Sequence, residues 1–160
     1  DWENYFQTNV MSAVRLSRHY TQGMVRRHWG RVLFSAAAVS GFVSGEQVHF
    51  GATKAALLAI SRGLAESVAG TGVTVDAFLP GPTRTESVTD FVHNLARTTG
   101  KNEKAVEAEM FSSGLPTSLL QRFITPEEIA SLVVFLASEQ AAAITGAALR
   151  VDGGILRSLL

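Results

Sequence analysis

Three short apolar segments, separated by long stretches with helical periodicity, constrain the fold of this chain more than any other feature. The first is Val32-Leu33-Phe34, the second is Val73 to Leu79, and the third is Ala147 to Val151. Short, continuous apolar runs are typical of strands that are buried on both faces of a parallel sheet. Because helices and strands alternate, the order β-α-β-α-β implies parallel pairing. The sequence therefore predicts an α/β fold with about three parallel strands flanked by helices.

Two of the intervening stretches are predicted to be long helices. The first is predicted from Trp2 to about Arg27, because apolar residues recur on one face of such a helix. Gly30 is expected to end it. The second extends from about Gln47 to Ala69, and Gly70 is expected at its C-terminal cap.

The C-terminal part carries a sharper helix signal. Thr125-Pro126-Glu127-Glu128 is a capping box with proline at the first helical position. Residues 86 to 124 are expected to be irregular to helical, with a charged helix around Lys101 to Phe111.

Composition excludes several classes of function. A chain of 160 residues is expected to form one domain, and its 14 basic residues balance 14 acidic ones. This balance does not favour nucleic acid or an anionic membrane as partner, and no apolar run is long enough to span a bilayer. The absence of cysteine removes disulfides and thiolate metal sites and is consistent with a cytoplasmic location. The four histidines have no metal-ligand spacing, so no metal site is predicted.

A five-residue segment, Phe50-Gly51-Ala52-Thr53-Lys54, gives the strongest indication of function. On a helix, residues 50 and 54 lie on the same face, where an ammonium lowers the pKa of a neighbouring phenol. The spacing resembles the Tyr-x-x-x-Lys signature of the short-chain dehydrogenase/reductase family, with phenylalanine in place of tyrosine. Four more segments resemble that family in the expected order: Asn4 to Val10, Gly30 to Phe34, Val75 to Thr85, and Thr145-Gly146 with Val151 to Gly154.

The resemblance implies a Rossmann-like, partial doubly wound sheet and a set of catalytic positions. Asn9 corresponds to the asparagine that holds a proton-relay water, and Lys54 to the lysine that holds the ribose. Phe50 replaces the acid-base tyrosine, and Ala37 replaces the serine that hydrogen-bonds the carbonyl. Ser35 and Ser40 flank Ala37 and are alternatives for the missing hydroxyl. His49 is an alternative acid, although it points about 100° away from Phe50 around the helix.

The same resemblance implies a cofactor, NAD or NADP, at the turn after the second strand. The expected nicotinamide contacts are Lys54, Pro80, Gly81, Thr83 and Thr85. The family's glycine-rich phosphate turn has no counterpart in these residues, so residues 1–160 are expected to form a single domain corresponding to the family's C-terminal half. Cofactor binding by this chain is accordingly expected to be weak.

Three functions remain open. The first is NAD(P)-dependent hydride transfer on a small alcohol or carbonyl compound, by a truncated and impaired enzyme. The second is a catalytically silent relative that acts in oligomer assembly or regulation, and the third is a non-enzymatic small-molecule binder. The strand Arg31 to Ser35 is expected to form an open edge without blunting charges. We therefore expect a homo-oligomer, formed through the helices at residues 2–27 and 47–69.

Overall fold

The fold is a three-stranded parallel sheet with helices packed against it. The computed structural model describes residues 1–41, 43 and 45–159. Strands β1 (Gly30–Ser35), β2 (Val73–Pro80) and β3 (Ala148–Val151) lie in the order β1-β2-β3. Both pairings are parallel, so the predicted α/β, Rossmann-like class is confirmed.

The helices follow the predicted alternation, with more subdivisions than the sequence indicates. Helices α1 and α2 are separated by a π-helical turn at Phe6–Met11. The expected helical region between residues 86 and 124 contains two α-helices and a second π-helical turn. The α-helices are α1 (Trp2–Tyr5), α2 (Ser12–Arg26), α3 (Val48–Ser67), α4 (Glu86–Thr99), α5 (Glu103–Glu109) and α6 (Pro126–Ala137). Shorter turns are the π-helical turn at Met110–Gly114 and the 3-10 turns at Ala38–Ser40, Gly45–Gln47 and Glu139–Ala141.

The first long helical stretch ends at Arg26, close to the predicted Arg27, but the two glycines expected at the helix ends lie beyond the caps. Helix α2 ends at Arg26, and the chain turns through His28 at a φ of 54°, so Gly30 begins β1 instead of ending the helix. Gly30 is buried, and a Cβ there would lie 2.5 Å from the side chain of Met24, so close packing requires glycine. Helix α3 has Val68 as its C-cap, and Gly70 follows in the turn at a φ of 75°.

The capping box at the start of α6 is confirmed. The Thr125 hydroxyl accepts a hydrogen bond from the Glu128 N–H, and the Glu128 carboxylate accepts one from the Thr125 N–H. Glu128 also forms a two-pronged ion pair with Arg122. The start of α6 is therefore fixed by both backbone and side-chain contacts.

Two apolar clusters hold the structure together. The first joins β1, β2 and α3 around Val75, which is fully buried, with Phe34 and Leu57 against it. The second packs α4 and α5 around Val92 and Phe111. The second cluster gives residues 86–124 a core of their own, beside the carboxyl ends of the strands.

Strand β1 lies at one edge of the sheet, as the sequence predicts. The start of this strand lies next to the 3-10 turn that follows α6, where Arg31 pairs with Glu139 and Trp29 donates its indole N–H to the same carboxylate. The rest of the edge borders a cleft of about 420 Å³ between α2 and β1. Within residues 1–41, 43 and 45–159, no helix is long and apolar enough to cross a membrane.

Candidate functional site

The candidate site lies at the carboxyl ends of the three strands. The N–H of Ala36, just after β1, donates to the Phe78 carbonyl at 3.0 Å, and the N–H of Gly81, just after β2, donates to the Val151 carbonyl at 3.1 Å. The ends of β1, β2 and β3 therefore form one continuous rim. Ligands of open parallel sheets bind at this rim.

The π-helical turn brings Asn9 to helix α3. Its Nδ2 donates to Thr53 Oγ1 at 3.0 Å, and Thr53 Oγ1 in turn donates to the Phe50 carbonyl at 2.8 Å. Thr53 is only 2% exposed, so the hydroxyl that joins the two hydrogen bonds is shielded from solvent. A single π-helical turn within a helix is often found at functional sites. Here it ties Asn9 to the turn of α3 that carries both Phe50 and Lys54.

Phe50 and Lys54 lie side by side, as their spacing predicts. The Lys54 Nζ lies 5.6 Å from the centroid of the Phe50 ring and donates to the Ser35 carbonyl at 2.9 Å. Burial lowers the pKa of Lys54 from its ordinary value. The amine therefore reaches the end of β1 from helix α3, at the mouth of the cleft.

Ala37 has a methyl group at the position where the family resemblance implies a serine hydroxyl. Its backbone is extended, with a φ of −164°, and begins the 3-10 turn Ala38–Ser40. The Ser40 hydroxyl donates back to the Ala37 carbonyl, so Ser40 stabilises this turn. Ser35 supplies its carbonyl to Lys54, and its side chain is exposed. Residues 42 and 44, farther along the chain, lie outside the described residues.

His49 packs among aromatic side chains. Its ring makes an edge contact with Tyr5 at 4.4 Å between centroids and a longer one with Trp2 at 6.1 Å. Tyr5 also contacts the Phe50 ring edge-on at 6.3 Å. The structure thus places His49 in an aromatic contact between α1 and α3.

The turn after β2 is held by backbone contacts on two sides. A Cβ at Gly81 would lie 2.5 Å from the Asp152 carbonyl oxygen, so glycine is required for this close approach. Thr83 forms a parallel bridge with Ile124, and its hydroxyl donates to the Gly81 carbonyl at 2.8 Å. Among the described residues the Thr83 N–H has no acceptor. The Thr85 hydroxyl caps α4 by accepting from the Val88 N–H.

One contact that the sequence analysis missed fastens residues 86–124 to this turn. Arg84 forms an ion pair with Glu107 on α5 and lies over the Phe123 ring, 5.2 Å from its centroid. The other Glu107 oxygen accepts from the Phe123 N–H at 3.2 Å. Glu107 is one of several charged residues on α5, so the sequence offers no signal that distinguishes it. A cavity of about 460 Å³ lies beside this segment, between Leu115 and Leu156.

The site contains one cationic amine, backbone donors and an apolar aromatic ring. Groups of three or more His, Asp or Glu side chains arranged for a metal ion do not occur in the described part of the chain. The residues at the rim are suited to binding a planar amide and hydroxyl groups. They offer no hydroxyl at position 37 or 50 for moving a proton.

Several known proteins are similar to this chain over nearly its whole length. Residues 1–156 match a family model described as enoyl-(acyl carrier protein) reductase. Two oxidoreductases of Bacillus subtilis, YvrD and YvaG, both described as uncharacterized, are 45% and 44% identical to this chain over 99% of its length. The chain spans 60% of the length of each of these relatives.

A solved structure gives the same result at the level of the fold. L-sorbose reductase from Gluconobacter frateurii, complexed with NADPH and L-sorbose, is 32% identical and superposes with a TM-score of 0.90. The match covers 99% of this chain and 59% of that one. The chain belongs to the short-chain dehydrogenase/reductase family, a family of oxidoreductases.

Proposed function

We propose that the site is built for NAD(P)-dependent hydride transfer on a small alcohol or carbonyl compound, with turnover impaired in this chain. The observation that carries the proposal is the Phe50–Lys54 pair at the carboxyl rim of the sheet. Lys54 supplies the cation of such a site, whereas Phe50 occupies the position of the acid-base residue and has no proton to transfer. The proposal concerns the whole protein, of which these residues supply the rim.

The residues at the rim fit the nicotinamide end of the cofactor. The Lys54 ammonium would donate to ribose hydroxyls, and the Thr83 N–H would meet the carboxamide next to Gly81, where the turn approaches Asp152 closely. Pro80 and Thr85 bound this turn and hold its conformation. The nicotinamide, when bound, supplies or accepts the hydride. The NADPH complex of the sorbose reductase supports this choice of cofactor.

Phe50 and Ala37 explain the expected loss of rate. A positioned general acid contributes about 10²- to 10⁴-fold to the rate, and a donor to the developing oxyanion contributes about 10²- to 10³-fold. The benzyl ring of Phe50 and the methyl of Ala37 supply neither group. The two losses need not multiply, because groups that act together are not additive.

Restoring the two side chains tests the proposal. The variant Phe50→Tyr with Ala37→Ser, placed in the longer protein, is expected to increase NAD(P)H-dependent reduction of small ketones by at least about 10²-fold. Each single substitution is the control for the other, and Lys54→Met in the restored background is expected to remove the gain. Cofactor binding without any gain in turnover would overturn hydride transfer as the reaction of this site.

A catalytically silent role in assembly is the second candidate. It is supported by exposed apolar side chains on α1, the π-helical turn, α2 and α3, including Trp2, Phe6, Leu16 and Val48. We propose that this face forms a homo-oligomer, as expected for the helices at residues 2–27 and 47–69. Size-exclusion chromatography with light scattering tests it: Phe6→Glu is expected to reduce the mass to that of a monomer, while Ser112→Glu, at an exposed position outside both ranges, is not. A wild-type chain that is monomeric would remove the proposal.

A cytoplasmic location is proposed from the absence of cysteine and is tested by cell fractionation.

A further inference from the structure

We propose that Thr53 is a positioning residue that fixes the orientation of the Asn9 side-chain amide, so that the amide oxygen is the end offered to water. The inference rests on the hydride transfer proposed above, because a carbonyl oxygen that gains charge from a hydride must also receive a proton. Thr53 is buried, so it acts on this proton path only through Asn9.

The Thr53 hydroxyl takes part in two hydrogen bonds of opposite direction. It donates its single hydrogen to the Phe50 carbonyl, three residues earlier on α3, at 2.8 Å. A hydroxyl has one hydrogen and two lone pairs, so Thr53 can only accept from any further partner. The Asn9 atom that lies 3.0 Å from Thr53 Oγ1 is accordingly the donor Nδ2. If the amide were turned over, two acceptor oxygens would face each other, unless Thr53 gave up the Phe50 carbonyl.

The long-range bond distinguishes Thr53 from an ordinary helical threonine. Threonine hydroxyls on helices often donate to a carbonyl three or four residues earlier. Thr98 on α4 does so with the Leu95 carbonyl at 3.1 Å, but Thr98 is exposed and bonds no distant residue among those described. Thr53 is buried and accepts from a residue 44 positions away. The contact with Asn9 is therefore the part of this arrangement that local structure does not explain.

The other end of the amide is available to solvent. Among the described residues no donor reaches Asn9 Oδ1, and this oxygen is not enclosed. A carbonyl oxygen only accepts hydrogen bonds, so a water held there donates one hydrogen to Asn9 and keeps both lone pairs free. Such a water can accept a proton from an ammonium or hydroxyl group, whereas a water held by Nδ2 would use a lone pair on the amide. Thr53 thus sets the direction in which the water can pass a proton.

The first experiment measures turnover in the longer protein that carries Phe50→Tyr with Ala37→Ser. Adding Thr53→Val removes the hydroxyl with little change in shape. It is expected to lower kcat by about 2- to 10-fold, the effect of losing one hydrogen bond, without raising the KM for NAD(P)H. Thr53→Ser keeps the hydroxyl and is expected to restore kcat. Thr98→Val removes a comparable local bond and is expected to change neither constant.

The outcomes separate this inference from the proposal on which it rests. If the restored background does not turn over before Thr53 is changed, hydride transfer is refuted first and the relay role falls with it. If that background is active, an unchanged kcat in Thr53→Val, or a loss that Thr53→Ser does not repair, overturns the positioning role alone. A higher KM with an unchanged kcat also overturns it, because the effect would then lie on cofactor binding.

A second experiment tests the contact without any turnover. Exchange of side-chain amide hydrogens with water is followed by NMR in the longer protein. The Asn9 amide is expected to exchange at least about tenfold more slowly than that of Asn94, which is exposed and has no side-chain hydrogen bond among the described residues. Thr53→Val is expected to remove this protection, while Thr98→Val leaves it. Equal exchange of the Asn9 and Asn94 amides in the unmodified protein would overturn the proposal.

Discussion

Replacing Asp76 by asparagine is expected to stabilise the fold at neutral pH. Asp76 lies in the middle of β2, is 1% exposed, and accepts a hydrogen bond from the Ala147 N–H at 2.9 Å through Oδ1. Its Oδ2 is buried and, among the described residues, has no hydrogen-bond partner. A buried acceptor without a partner costs about 1–3 kcal/mol, and more when it is charged.

The pH dependence follows from the direction of the pKa shift. Burial raises the pKa of Asp76, against smaller opposing effects of the Ala147 N–H and of Arg31. The native state therefore retains the proton at a higher pH than the unfolded chain does. The free energy of unfolding decreases as the pH rises from about 4 through the raised pKa, and the full penalty is present above it. Asparagine does not titrate, so its advantage is expected at pH 7 and should vanish near pH 4.

The assay is thermal unfolding of both proteins at several pH values. A gain of about 1–3 kcal/mol corresponds to about 2–12 °C in Tm for a chain of this length. Thr74→Val on the same strand is the matched control, because Thr74 has a buried hydroxyl without a described partner but no charge. It is expected to change Tm equally at both pH values. A destabilised Asp76→Asn variant at pH 7, or a gain that persists unchanged at pH 4, would refute the reasoning.

Three further predictions concern the rim and its supports. Gly81→Ala is expected to destabilise the chain by about 1–3 kcal/mol, because the new Cβ would lie 2.5 Å from the Asp152 carbonyl oxygen. Urea unfolding measures this, and Gly63→Ala is the control because a Cβ at Gly63 would meet no atom within 4 Å. The Arg122 guanidinium holds the pKa of Glu128 at about 2, so Arg122→Gln is expected to raise that pKa in an NMR titration, whereas an unchanged value would disprove the pairing. Because this pKa is lowered, stability from the pair is present above the ordinary glutamate pKa and is lost as the pH falls toward 2. Arg84→Met is expected to speed proteolysis within residues 86–124, since the ion pair with Glu107 is lost, while Arg97→Met is not; equal cleavage rates would contradict this role.

The sequence predicts the fold and the order of the site segments because these depend on local patterns. The apolar runs define the strands, the capping box at Thr125 defines α6, and the four-residue step from Phe50 places Lys54 beside it. Local patterns do not predict contacts between residues that are far apart in the sequence. That Asn9 bonds Thr53 and that Lys54 reaches the Ser35 carbonyl depends on how α2 and α3 pack on β1, which no local pattern encodes.

The two glycines expected at the helix ends lie beyond the caps for physical reasons as well. Gly30 and Gly70 are both strong helix-ending signals, but glycine also permits close packing and left-handed turns. Gly30 is needed because Met24 packs against it, and Gly70 because the turn before β2 passes through a positive φ. The segment from 86 to 124 has its own core around Val92, which is why it forms defined helices.

The π-helical turn at Phe6–Met11 has a consequence for how the N-terminal segment tolerates insertions and deletions. A π turn holds one residue more than an α turn, so it behaves as a one-residue insertion absorbed within a continuous helix. Deleting one residue there would restore α-helical geometry and rotate everything upstream by about 100°. If the deleted residue precedes Asn9, Tyr5 would turn away from His49 and Phe50. Asn9 itself would still face α3. The aromatic contacts and the Asn9 hydrogen bond therefore belong to different helical phases, which coexist only because the additional residue is retained.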